Sequence, residues 1–286
     1  MKELVVISGK GGTGKTSIVA SFAALAGSSV LADCDVDAAD LHLVLKPDIK
    51  QRENFSGGRV AYIDPDICMH CDRCRELCRF DAISEDHVVD TVSCEGCAVC
   101  AFACPVEAAV MKESINGEWF ISETRHGTMV HARLGIAEEN SGKLVTLVRN
   151  QAKRIAGEKN LDMIIVDGSP GIGCPVIASV TGADMVLIVT EPTLSGLHDL
   201  ERVADLADHF GARIMVCINK ADINPDMADR IEAMCVARKI PVPARIEYNT
   251  VVTAAQVEGL SVVEFGDSNV ANQIRALWSD VKKQLG

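Results

Sequence analysis

The chain has 286 residues, 48% hydrophobic and 24% charged, enough for one large α/β domain or two modest ones and too apolar for intrinsic disorder. Its net charge of −12 excludes a broad basic surface for nucleic acid or an anionic membrane. No apolar stretch reaches the ~18 residues of a membrane span, and no basic, cleavable leader opens the chain, so a cytoplasmic location is expected.

In chain order, residues 4–8 form a short apolar run that reads as a buried strand. Gly9-Lys10-Gly11-Gly12-Thr13-Gly14-Lys15-Thr16 follows, and a helical pattern starts near Lys15. A Gly-x4-Gly-Lys-Ser/Thr element between strand and helix is a phosphate-binding loop. Its glycines let backbone N–H groups curl around phosphates, and the helix N-terminus adds its positive dipole end. Lys15 reaches the β- and γ-phosphates and the Thr16 hydroxyl can ligate Mg²⁺. Gly9, Lys10, Gly11, Gly12, Thr13, Gly14, Lys15, Thr16 and Ser17 are therefore the candidate nucleotide contacts.

Residues 30–32 read as a second buried strand, running into Asp33-Cys34-Asp35-Val36-Asp37. A cysteine-rich block occupies 62–112. Apolar runs at 163–166, 185–189, 214–218 and 242–246 then alternate with amphipathic helical stretches at 197–209 and 227–236, and a last helix is expected over 269–285. Continuous apolar strands alternating with helices predict an α/β fold, a mostly parallel sheet covered by helices on both faces. The cysteine block breaks that rhythm. It reads as an insertion at 61–112 within a nucleotide domain made of 1–60 and 113–286.

Eight of the twelve cysteines form two runs of identical spacing, Cys68-x2-Cys71-x2-Cys74-x3-Cys78 and Cys94-x2-Cys97-x2-Cys100-x3-Cys104. That clustering says metal rather than a disulfide framework. Pairs of C-x2-C also build zinc sites. Two complete runs closing with x3-C, however, resemble the bacterial two-cluster ferredoxins, small α+β domains. The resemblance implies two [4Fe–4S] clusters with crosswise ligands: Cys68, Cys71, Cys74 and Cys104 for one, and Cys94, Cys97, Cys100 and Cys78 for the other. Pro105 follows the second run as in those proteins, whereas Arg79 stands in the corresponding place of the first. The block carries ten acidic and four basic residues, which suits a basic redox partner and equally a solvated face.

Lys10 resembles the signature lysine of the deviant Walker A ATPases, the family of MinD, ParA, Mrp and the nitrogenase iron protein. In that family this lysine reaches across a nucleotide-sandwich dimer to the partner's ATP, a cation acting much as an arginine finger does. The resemblance spans nearly all of the chain outside the insert, including 259–265. It implies a P-loop ATPase with Lys10, Lys15 and Asp35 as catalytic residues, Asp35 positioning the attacking water. Thr16, Asp33 and Asp167, the last in Asp167-Gly168-Ser169-Pro170-Gly171, would hold Mg²⁺. Asn219 would recognise adenine. Asn219-Lys220-Ala221-Asp222 also matches the guanine-reading N-K-x-D of GTPases, and the Lys10 match favours ATP.

The whole arrangement resembles MinD-superfamily ATPases with an inserted ferredoxin domain, including those of the orange-protein complex of sulfate reducers. It implies ATP hydrolysis coupled to electron transfer or to assembly of a redox complex. The partners implied are a second copy or a paralogous ATPase, and a redox or metal-cofactor protein. The alternatives are an iron–sulfur carrier of the Mrp type, against which the lack of C-x-x-C outside the insert counts, and a positioning ATPase with structural clusters. A cobyrinate-type amidotransferase would need a glutaminase domain, for which 286 residues leave no room.

The remaining residues read as structural. Cys34, Cys217 and Cys235 lie in or beside apolar runs and are expected in the core. Cys174, seven residues after Asp167, is expected to be a buried, unligated thiol. His126 and His131 fall in a segment without regular pattern and read as solvated or core histidines. Trp278, Val281 and Leu285 are expected to pack the last helix onto the domain rather than onto a membrane.

Overall fold

The computed structural model describes residues 1–135 and 141–286. The chain opens with β1 (Lys2–Ser8), α1 (Lys15–Ala26), β2 (Val30–Asp33), α2 (Leu41–Leu45) and the long β3 (Asp48–Ile63). Two five-residue helices, α3 (Arg73–Leu77) and α4 (Val99–Ala103), precede β4 (Ala109–Thr124) and β5 (Gly127–Leu134). Then come α5 (Ser141–Glu158), β6 (Met163–Pro170), α6 (Cys174–Val180), β7 (Met185–Thr190), α7 (Leu194–His209) and β8 (Arg213–Asn219). The chain finishes with α8 (Pro225–Ala237), β9 (Ala244–Ile246), α9 (Val251–Glu258), α10 (Val262–Phe265) and α11 (Asn269–Leu285).

The strands form one sheet in the order β3-β4-β5-β2-β6-β1-β7-β8-β9, with β5, β2, β6, β1, β7, β8 and β9 parallel. This is the α/β fold of P-loop nucleotide hydrolases, with its central strands apolar on both faces. Leu4 and Val6 point into one core, shared with α1, α2, α10 and α11. Val5 and Ile7 are equally buried on the other face, which α5 to α8 cover. The stripe of α11 is packed inward: Trp278 meets Phe22 of α1 at 4.8 Å between ring centroids, and Val281 and Leu285 are buried beside them. Among the described residues no helix is long and apolar enough to cross a membrane.

The chain separates into two compact units. The first comprises Met1–Arg52, Trp119–Arg133 and Ser141–Gly286. The second is built on Glu53–Glu118 and contains all eight clustered cysteines. It is wider than 61–112 because β3 and β4 run on continuously from one unit to the other. Residues 127–134, without regular pattern in the sequence, form β5, joined to β4 by the two-residue turn Arg125–His126 and so antiparallel to it. That turn is tied down locally: the Arg125 guanidinium donates to the Val44 and Leu45 carbonyls at the end of α2, to Gly259 O at the end of α9, and to Glu264 (2.6 Å). His126 also meets Glu264, at 2.7 Å. Burial opposes ionisation of Glu264, yet the Arg125 and Ser261 hydrogen bonds win and hold its carboxyl far below the usual carboxylate range.

Candidate functional site

The phosphate loop sits at the C-terminal end of β1, the central strand between β6 and β7. In such sheets ligands bind beyond the carboxyl ends of the strands. Gly14 has φ +90°, and a Cβ there would stand 2.3 Å from Asn219 Nδ2, so only glycine lets the loop close against β8. Asn219 Nδ2 donates to Thr13 O (2.7 Å), fixing the loop from the end of β8.

Adjacent strand ends bring the acidic residues to Lys15. Asp33 and Asp167 are register partners on β2 and β6. Lys15 Nζ lies 2.6 Å from Asp167 Oδ1 and 3.3 Å from Asp35 Oδ2, all three nearly buried. Burial alone would lower the Lys15 pKa, but Asp167 and then Asp35 outweigh it and hold the ammonium charged. Asp33 is fully buried; Oδ1 accepts from Asp35 N (3.1 Å), while Oδ2 of Asp33 and Oδ2 of Asp167 are buried without a hydrogen-bond partner. Burial, reinforced by the Asp167 charge, pushes the Asp33 carboxyl well above its ordinary pKa; burial also raises Asp35. Two orphaned carboxylate oxygens below a phosphate loop fit a hard divalent cation.

The loop opens onto a cavity of ≈560 Å³ walled by Gly11 to Ser17, Asp35, Asp40, Asn219, Lys220, the segment Glu247-Tyr248-Asn249 and three residues of α9, Val252, Thr253 and Gln256. Gln256 Nε2 donates to Ser17 Oγ (3.0 Å). Gly9, Lys10, Asp33 and Asp167 do not reach that wall. Lys10 instead turns to Glu191 Oε1 at 2.5 Å, just after β7. Glu191, Gln256 and the 247–249 segment belong to no motif in the sequence, and Lys220 is marked there only as part of N-K-x-D. The findable signal was position: Glu191 and Lys220 each directly follow a parallel strand.

Asp33→Asn gives the first prediction. It keeps the acceptor for the Asp35 N–H and removes a charge that its surroundings disfavour. An acid whose folded pKa exceeds its unfolded one costs stability as pH climbs from about 4 toward the folded value. In Mg²⁺-free buffer near neutral pH, the nucleotide-free variant is expected to melt roughly 2–4 °C above wild type. Its Mg²⁺-dependent nucleotide affinity is expected to fall. A lower melting temperature would contradict this account.

In the cysteine unit both runs adopt one backbone shape. His70, Asp72 and Asp81 have positive φ in the first, and Gly96, Ala98 and Glu107 have it at the same offsets in the second. Non-glycine residues seldom enter that region. Left-handed residues alternating with right-handed ones are the backbone shape that forms anion-favouring N–H concavities. Gly96 adds a close approach, since a Cβ there would lie 2.2 Å from Arg59 O. One small cavity is walled by Cys68, Cys71, Cys74 and Cys104 with Ile63 and Ala109; another by Cys94, Cys97, Cys100 and Cys78 with Ile83 and Val89. Each apolar cavity thus gathers three thiols of one run and the last thiol of the other, a soft donor set suited to a thiolate-held metal centre. Ala108 N donates to Cys104 Sγ (3.2 Å); burial opposes it, but the N–H groups of residues 106–109 lower that thiol's pKa. Cys68 also lies near His70 and His87, whose Nδ1 atoms are 3.2 Å apart.

The other cysteines and histidines divide. Cys34, Cys217 and Cys235 are buried, and burial pushes the Cys217 thiol up to about 12 and Cys235 to about 11. Cys174, expected to be buried, is exposed, because it opens the first turn of the short α6 at the surface, before Pro175. His131 lies in β5, stacked on Phe120 with Ser122 Oγ at 2.9 Å; burial, helped by His42, lowers it to about 4, so it is neutral.

Residues 4–262 match the family described as the CobQ/CobB/MinD/ParA nucleotide binding domain. The protein MJ0578 of Methanocaldococcus jannaschii is 34% identical over 227 residues, 78% of this chain and 79% of that one. The pyruvate synthase subunit PorD of Methanothermobacter marburgensis is 39% identical over 51 residues, 18% of this chain and 63% of that protein. Among solved structures, the septum site-determining protein MinD of Pyrococcus horikoshii OT3, complexed with Mg-ADP, aligns with a TM-score of 0.61 at 19% identity, covering 100% of this chain and 97% of that one. That likeness is one of fold.

Proposed function

Because the chain belongs to the CobQ/CobB/MinD/ParA nucleotide-binding family, we propose that it is an ATPase working as a nucleotide-dependent dimer, whose hydrolysis drives electron transfer through, or assembly of, an iron–sulfur redox complex. The observation that carries the reading is the convergence of Lys15, Asp33, Asp35 and Asp167 beneath the phosphate loop, with Lys15 and Asp35 on the wall of the ≈560 Å³ cavity and Asp33 and Asp167 buried behind it. On ATP binding Lys15 exchanges its carboxylate partners for the β- and γ-phosphates. Asp35, released from Lys15, orients the water that attacks the γ-phosphorus; the bond to the β–γ bridging oxygen breaks and ADP leaves with that electron pair. Thr16, Asp33 and Asp167 would hold Mg²⁺, which would neutralise phosphate charge. The second subunit is another copy or a paralogue, each contributing Lys10 to the other's nucleotide.

ATP is favoured over GTP by the use made of Asp222. A guanine reader needs a free carboxylate at this place in N-K-x-D, but Asp222 Oδ1 accepts from Tyr248 N (2.5 Å) and lies off the cavity wall. The two thiol sets would hold [4Fe–4S] clusters, which supply one-electron transfer when bound. The acidic balance of the insert suits a basic redox partner.

Anaerobic steady-state assays with ATP and GTP test the reading. ATP is expected to be hydrolysed with a kcat/KM at least ~10-fold above that for GTP. Lys10→Ala is expected to bind ATP normally yet lose hydrolysis by ~10²-fold or more, as removal of a finger-type cation does. A Lys10→Ala protein that hydrolyses ATP at the wild-type rate sinks the dimer mechanism.

A further inference from the structure

Lys10 has no free path to a second subunit while it keeps its present partners. Its ammonium is 2.5 Å from Glu191 Oε1, 3.3 Å from Ser195 Oγ and 3.4 Å from Thr193 Oγ1, with only a third of the side chain exposed. The holder is itself rigid. Thr193 caps α7 by accepting from Gly196 N (2.9 Å), and Thr190 Oγ1 donates to Gly196 O (3.1 Å), so residues 190–196 form a fixed turn around Pro192.

Glu191 also has a second cation. Lys220 Nζ lies 3.2 Å from Glu191 Oε2 and donates to Gly12 O (2.9 Å) in the phosphate loop. Burial opposes ionisation of Glu191, but Lys10 and Lys220 together hold it as a carboxylate. If Lys10 leaves, Glu191 stays paired with Lys220, and no half-buried charge is stranded. Release is therefore far less costly than breaking an isolated buried pair. Lys220 neighbours Asn219 on the cavity wall, so the carboxylate that retains Lys10 is wired to the base-binding end of the site.

From this arrangement we propose that Glu191 is a positioning residue that parks Lys10 inside its own subunit until the phosphates of a second, nucleotide-loaded subunit draw it away. The proposal rests on the dimeric ATPase reading above and adds a regulation to it. Lys10 is withheld at low subunit concentration and exchanged, anion for anion, at the dimer interface. Glu191 thereby sets the concentration at which subunits become active and leaves the binding of ATP within one subunit unchanged.

The test is ATPase rate per subunit against protein concentration for wild type, Glu191→Gln, Lys10→Ala and the double variant, with KM for ATP measured in parallel. Glu191→Gln is expected to reach half-maximal rate at about two- to fivefold lower protein concentration, the scale of a half-exposed ion pair. Its KM for ATP is expected to be unchanged. The double variant is expected to be no more active than Lys10→Ala. Ser195→Ala, which removes a weaker hold on Lys10, is expected to shift the curve the same way by less, and carries the test if Glu191→Gln does not fold. A concentration curve that stays put or moves upward in these variants, or a Glu191→Gln gain that persists without Lys10, overturns the proposal alone. A wild type that never hydrolyses ATP overturns the ATPase reading and this inference together.

Discussion

A protein carrying Cys78→Ser with Cys94→Ser is expected to keep one of two clusters, whereas Cys78→Ser with Cys68→Ser is expected to lose both. The reason is the crosswise lining of the two cavities: Cys78 stands with Cys94, Cys97 and Cys100, and Cys104 with Cys68, Cys71 and Cys74. Iron per chain should fall from about eight to about four in the first variant and toward zero in the second, if each cluster needs all four thiolates. Pairing within each run predicts the reverse. Anaerobic iron and sulfide analysis with EPR of the reduced protein reads the outcome. The same samples assayed for zinc decide the competing use of Cys68 with His70 and His87; zinc in place of iron would remove the electron-transfer reading.

Lys15→Ala is expected to abolish ATP hydrolysis, by ~10²-fold or more, because on the proposed mechanism it deletes the cation that would stabilise charge on the transferring phosphoryl group. It is also expected to destabilise the nucleotide-free protein. Lys15 is the cation beside Asp167, Asp35 and Asp33, and removing one partner of a buried ion pair costs about 3–5 kcal/mol. The deficit should depend on pH in a stated direction. Without the lysine, carboxyl groups already raised by burial rise further, so protonation relieves the repulsion. The melting deficit of Lys15→Ala should therefore be larger near pH 8 than near pH 5.5. Melting temperatures of both proteins across that range check it, and a deficit that grows on acidification would show that Lys15 does not neutralise this acid cluster.

Much of the site was legible in the sequence because its chemistry is local. A phosphate loop is one contiguous stretch between a strand and a helix, so Gly9 to Thr16 announce both its place and its ligand. Asp33, Asp35 and Asp167 follow short apolar runs, and the ends of parallel strands are where such sheets keep their polar chemistry. The cysteine spacing is equally local, as three thiols two residues apart can turn around one centre. Strands β1, β2, β6, β7 and β8 were visible because burial on both faces demands unbroken apolar residues.

The tertiary structure alone decided the rest. Strand β3 alternates weakly and is largely exposed, since it lies at the sheet edge and gains order from pairing with its neighbour rather than from its own hydrophobicity. Arg125 carries no signal of its own in the sequence, and only the fold brings Val44, Gly259 and Glu264 to it from 81 to 139 residues away. The gathering of Cys78 with the second run, and of Cys104 with the first, likewise needs the chain to fold back on itself. Lys10 is the sharpest case. Its motif names the residue, but Glu191, which holds it, lies 181 positions downstream, and only the order β6-β1-β7 places the two side by side. Contiguous motifs carry their own geometry, whereas ion pairs between strand ends exist only once the sheet has ordered its strands.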